Sequence, residues 1–211
     1  MTTRKSRLLL YAAAAALSGG LMAVPQAQAQ ARSTELPAAR PSADHTTARA
    51  AAGNYSYLEF KKGSNPQNSR LYFVYVQASD PDHPRTHTLG SWRAGSGNGS
   101  KDTCASNAGW LPNGTYTIKA FDPHHHGGPH GVNGIAWYIG DHKCHSGRWR
   151  TDLFVHSEML PNGRAGSSEP YRWDGDSDYK SNGCIKLKPS DIRALRDLQA
   201  GHPNPRTLYV H

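Results

Sequence analysis

Arg70-Leu71-Tyr72-Phe73-Val74-Tyr75-Val76-Gln77 is the stretch that decides the fold class. It is dominated by β-branched and aromatic residues, which suit a pleated surface, and polar turn-forming residues bound it. Weaker runs of the same kind recur along the chain, at Tyr55–Phe60, Ile135–Ile139, Thr151–His156 and Thr207–His211. Leu111-Pro112-Asn113-Gly114 reads as a turn, with alternation over Thr115–Ala120 behind it. One helix is expected late in the chain. Ser190 can cap it, Ile192, Leu195 and Leu198 recur at helical spacing, and Gly201 stops it. Short strands with one late α-helix predict a mostly β fold, either a β-sandwich or a partly open barrel.

Working outward, the N-terminus reads as separate from this domain. Arg4, Lys5 and Arg7 precede an apolar run from Leu8 to Val24, and Ala27-Gln28-Ala29 offers a small-residue cleavage pattern. That order predicts a secretory signal peptide over 1–29. A membrane anchor is the competing reading, but Ser18-Gly19-Gly20 interrupts the run, which is short of the ~20 apolar residues of a span. Without a Cys near the cleavage site, a lipid anchor is not expected. Residues 30–53, rich in Ala, Thr, Arg and Pro, predict a disordered linker, and 54–211 the ordered domain.

The formal charge is +8, from 24 Lys and Arg against 16 Asp and Glu. Removing 1–29 takes away three basic residues and leaves +5. The basic residues are scattered, which favours anionic surfaces in general. Export argues against a nucleic-acid partner and fits a bacterial wall with its carboxylates and phosphates. The expectation is a secreted, wall-associated monomer with no stable membrane insertion after cleavage. Three Cys, 104, 144 and 184, leave at least one thiol over in an oxidising compartment.

The chemistry concentrates in Ser181-Asn182-Gly183-Cys184-Ile185-Lys186-Leu187. Gly183 lets the backbone turn sharply or approach a ligand closely. The apolar pair Ile185 and Leu187 places Cys184 where a loop enters a sheet. Leu153-Phe154-Val155-His156 ends another strand on a histidine. A thiol attacks as thiolate, and a neighbouring imidazole can take its proton. The alternative is a buried structural thiol beside a loop histidine.

The segment Val155-His156-Ser157 followed by Ser181-Asn182-Gly183-Cys184-Ile185-Lys186-Leu187, with Leu111-Pro112-Asn113-Gly114-Thr115-Tyr116-Thr117-Ile118 upstream, resembles the L,D-transpeptidase (YkuD-type) catalytic domain over about residues 70–211. The resemblance implies that fold type, acyl transfer on peptidoglycan stem peptides without a metal or cofactor, and acylation of Cys184 by carbapenems. Cys184 would form a thioester, and His156 would act as base and then acid. The Ser157 carbonyl would orient the imidazole. Amides around Gly183 and Cys184 would hold the oxyanion, with Ser181 and Asn182 bracing the loop. A free Cys184 in turn implies a Cys104–Cys144 disulfide. Resolution of the thioester by an amine gives transpeptidation; resolution by water gives an L,D-carboxypeptidase or peptidoglycan hydrolase. A non-enzymatic wall-binding or inhibitor protein is the reading from a different class. Two departures from the family bear on substrate choice. Ser157 to Gly183 is a longer interval than usual, so Glu158–Lys180 is expected to form a loop beside the site. Lys186 stands where many relatives carry Arg or Asn, which removes a bidentate grip on a carboxylate.

Other groups invite chemistry less strongly. Trp173, Tyr171 and Trp137 could line the cleft, with core or surface packing as the alternative. His124-His125-His126, with His130, could hold a metal, but Gly127-Gly128-Pro129 predicts a loop there. Asp174, Asp176 and Asp178 alternate like calcium ligands, yet Tyr179 and Ile185 stand where such a loop needs Gly and Glu. Asp102 and Glu158 are candidate third members of a triad without a spacing argument.

Overall fold

A computed structural model describes residues 53–211 apart from Pro81 and Pro170. The expected signal peptide and all but the last residue of the expected linker lie outside the described residues. Among the described residues there are nine strands and one α-helix. The strands are β1 Tyr55–Lys61, β2 Ser69–Gln77, β3 Arg85–Ser96, β4 Gly114–Thr117, β5 Ala120–His126, β6 Asn133–Lys143, β7 Trp149–His156, β8 Ile185–Leu187 and β9 Thr207–Val210. Helix α1, Pro189–Ala200, lies between β8 and β9. None of the described helices is long and apolar enough to cross a membrane.

The mostly β class stands. The strands form one continuous open sheet in the order β4-β9-β1-β2-β3-β8-β7-β6-β5 rather than two stacked sheets. The sheet curls without closing. Its β4 edge returns towards β6, where Tyr116 stacks on His142 with ring centres 4.2 Å apart. Inside the curl lie Leu58, Phe60, Leu71, Phe73, Tyr116, Trp137, Ile185 and Leu208, all buried. Helix α1 adds Ile192 and Leu195 to this core. Trp137 is fully buried and its indole N–H donates to Gln199 Oε1 (2.6 Å), joining β6 to the helix. Removing such a ring from water is worth roughly 4–6 kcal/mol, from about 150–250 Å² at ~25 cal/mol/Å².

The sequence reading needs four corrections. The run Thr115–Ala120 is not one strand. Thr117 still pairs with β9, but the Ile118 amide bonds Arg206 O, the Lys119 amide bonds Tyr138 O, and Ala120 opens β5 beside β6. The chain changes partners in the middle of an unbroken alternation. His124–His126 belong to β5, not to a loop. That strand holds Pro123 because it lies at the sheet edge, where a missing N–H breaks no ladder. The longest strand, β3, has no counterpart in the sequence reading. Its first half is polar and exposed, and it is strand because β2 pairs with it along nearly its whole length. Finally, Ser190 does not cap the helix. Lys188 occupies the cap without a side-chain bond, Pro189 sits at the first helical position, and Ser190 Oγ donates to Asp191.

Cys104 and Cys144 form a disulfide across 40 residues of sequence, and Cys184 is free. A loop of that length is worth roughly 3–4 kcal/mol in the chain-entropy account.

Candidate active site

Strands β7 and β8 run parallel, with Val155 opposite Ile185 and His156 opposite Lys186. Parallel neighbours need a long crossover, so much of the Ser157–Gly183 interval is what this topology demands. Side chains two apart share a face, which sets Phe154 and His156 beside Cys184 and Lys186. Cys184, at the mouth of β8, therefore lies diagonally across from His156. Both open on one cleft of about 670 Å³, together with Ser157, Glu158, Asn182, Lys186, Asp152, His125 and His130.

His156 Nδ1 lies 3.0 Å from Ser157 O. A carbonyl only accepts, so Nδ1 carries the proton and Nε2 is left as a base. Burial, then the Lys186 ammonium, lowers the imidazole to about 3, against the opposing Ser157 hydrogen bond. The Cys184 residue is partly open to the cleft, but its sulfur sits deep. Burial pushes the thiol up to about 11 although a backbone bond at Phe154, Lys186 and Arg150 pull it down. The resting pair is thus neutral thiol and neutral imidazole. Here the thiol donates to Asp152 O at 3.6 Å. Asp152 has φ 55°, a left-handed conformation that Asp tolerates better than most residues.

Below about 11 most of Cys184 is thiol, so small electrophiles meet little thiolate at neutral pH. The iodoacetamide alkylation rate is expected to rise close to tenfold per pH unit between about pH 7 and pH 10. Intact mass at timed quenches measures it. A thiolate–imidazolium ion pair would instead give a plateau that persists below pH 7, and such a plateau would refute the neutral pair.

Ser181 Oγ is the hub of the turn that leads into Cys184. It accepts from the Gly97 and Gly183 amides (3.0 and 3.1 Å) and donates to Cys184 O (2.7 Å). The Gly183 amide is therefore engaged, and of the two expected oxyanion donors the Cys184 amide is the one this hub leaves over. Gly183 has φ +123°, and a Cβ there would meet Arg150 Nη2 at 2.1 Å. Asn182 contributes its backbone carbonyl, which accepts from Arg150 at 2.9 Å. Lys186 Nζ is bound to Glu158 Oε1 and, at 2.9 Å, to Lys180 O.

Several expected groups lie elsewhere. Trp173 packs edge-on against Tyr179 with centroids 4.8 Å apart, and Tyr171 closes a turn with Gly166; neither borders the cleft. Trp137 is in the core. Asp174 pairs with Arg172, Asp176 with Arg93, and Asp178 accepts the Asp174 and Gly175 amides, so the three carboxylates do not converge. Asp102 accepts the Cys104 amide and does not border the cleft. His125 leans on Asp122 and Phe154. Among the described residues the group with metal-ligand proximity is Asp102, Cys104 and His145, and Cys104 is held in the disulfide. Arg150 was missed. Its position in a polar stretch of β7 gave no signal, yet it is 5% exposed and directly behind the turn that leads into Cys184.

No family model matches the chain, and no curated protein matches it.

Proposed function

We propose that the protein is a cysteine acyltransferase of the L,D-transpeptidase type, exported to act on peptidoglycan stem peptides. One observation carries the reading. The free thiol of Cys184 and the bare Nε2 of His156 share one face of two adjacent strands and open on one cleft. Imidazole takes the thiol proton as sulfur attacks a donor-peptide carbonyl, and a thioester forms while the protonated ring returns the proton to the departing amine. The neutral ring keeps Nε2 free to receive that proton. The Cys184 amide receives the oxyanion, a donor of a kind worth about 10²–10³-fold in rate. The open sheet, the late helix and the motif residues support this fold type, and the disulfide suits an oxidising compartment. The cleft mixes cationic, anionic and imidazole groups, which suits a peptide bearing both ammonium and carboxylate.

Mass spectrometry of the protein incubated with isolated muropeptides tests the reading. New cross-linked dimers are expected. Shortened stems would make the site a hydrolase, and unchanged muropeptides from a thiol-competent sample would reject both.

A further inference from the structure

Arg150 is a buried guanidinium whose hydrogen-bond acceptors among the described residues are all backbone carbonyls. Nη1 donates to Thr103 O (2.6 Å) and Trp110 O (3.4 Å), and Nη2 donates to Gly109 O (3.2 Å) and Asn182 O (2.9 Å). No carboxylate forms an ion pair with it among the described residues, although Asp102 and Tyr116 stand near enough to act on its charge. Burying such a charge costs several kcal/mol, offset here by hydrogen bonds to carbonyl dipoles rather than by a carboxylate. Its burial also depends on a local device. Leu153 and Val155 point into the core and Phe154 and His156 to the cleft, so strict alternation would set Arg150 with the cleft pair. The left-handed residue Asp152 shifts that phase by one and turns Arg150 inward. The same Asp152 presents its carbonyl to the thiol.

We propose that Arg150 is the positioning residue of the nucleophile, a clamp that fixes the Asn182–Cys184 turn to the disulfide-tethered segment Thr103–Trp110 and sets a permanent positive charge beside the sulfur. This rests on Cys184 being the nucleophile. Two features make it specific. Gly183 is required because any side chain would displace the guanidinium. Cys104, one residue from the Thr103 carbonyl, ties the clamp's other jaw through the disulfide to Cys144 on the β6–β7 connection. The groups that act on the sulfur are then Arg150 and Lys186 as cations, Asp152 as an anion, and the neutral His156 across the strand pair.

The test is Cys184 alkylation by iodoacetamide in Arg150→Met and Arg150→Lys, which needs no wall substrate and so separates this inference from the proposed function. A neighbouring cation shifts a thiol by about one unit or more. The midpoint of rate against pH should therefore move up by about one unit in Arg150→Met. At fixed pH the rate should fall about threefold, since a more basic thiolate is also more nucleophilic. Arg150→Lys keeps the charge and loses the fork. It should restore the alkylation profile while carbapenem acylation, which needs the turn in place, stays at least about tenfold slow. A folded Arg150→Met with the wild-type alkylation profile overturns the proposal, whatever happens with muropeptides. Should Arg150→Met not fold, Arg150→Lys decides: wild-type acylation rates in it, or failure of both variants to fold, make Arg150 merely structural.

Discussion

Cys184→Ala is expected to abolish carbapenem acylation outright. Wild-type protein should gain the mass of one drug molecule per chain, and the variant none. Cys104 and Cys144 are tied to each other, so Cys184 is the thiol available to form that adduct. Removing a nucleophile from a site whose members act as a unit costs on the order of 10⁶ in turnover, and His156→Ala should then add little in the Cys184→Ala background. His156→Ala alone should leave a slow residual acylation, because a small thiolate population survives without its base. The fold should tolerate Cys184→Ala well, since the sulfur's bonds are to the backbone at Asp152 and Phe154 and it belongs to no core cluster. Unchanged thermal unfolding therefore accompanies the expected loss. Persistent labelling of Cys184→Ala would refute the nucleophile, and the drug would have to sit on another group.

The parts legible in the sequence were those written in side-chain pattern. RLYFVYVQ announces β2 because both faces of that strand are apolar or aromatic. Cys184 and His156 stand out because Gly-Cys at a strand entry and His at a strand end are patterns in themselves. What stayed hidden was written in backbone partners. Strand β3 is induced by β2, and the break at Ile118 and Lys119 is a change of hydrogen-bond partner inside a uniform alternation. Arg150 belongs to the same class: its four acceptors are carbonyls from three separate stretches, and carbonyls leave no residue-type signal. The aromatic residues Trp173 and Tyr171 misled for the opposite reason, being conspicuous by type and placed by local packing.

Breaking the Lys186–Glu158 pair from one side should destabilise the fold by about 3–5 kcal/mol, the range for a buried ion left without its partner. Both side chains are about one-tenth exposed. Burial first, with Asp178 and Glu169 beside it, raises the Glu158 carboxyl against the opposing pull of Lys186. Its Oε2 is buried without a hydrogen-bond partner among the described residues, which leaves the carboxylate incompletely satisfied there. Glu158→Ala strands the ammonium, whose remaining acceptor is Lys180 O. The double variant Glu158→Leu/Lys186→Met removes both charges and should be close to wild type in urea unfolding, or more stable. The pair is then there for the chemistry. Lys186 is the cation that helps hold His156 neutral, so its removal should let the imidazole take up a proton at higher pH than in the wild type. Acylation by the double variant should accordingly fall off on acidification at a higher pH than wild-type acylation does, while stability is unimpaired. A single Glu158→Ala variant with wild-type stability, or a double variant whose acid limb has not moved, would show that the pair neither costs nor tunes anything at this site.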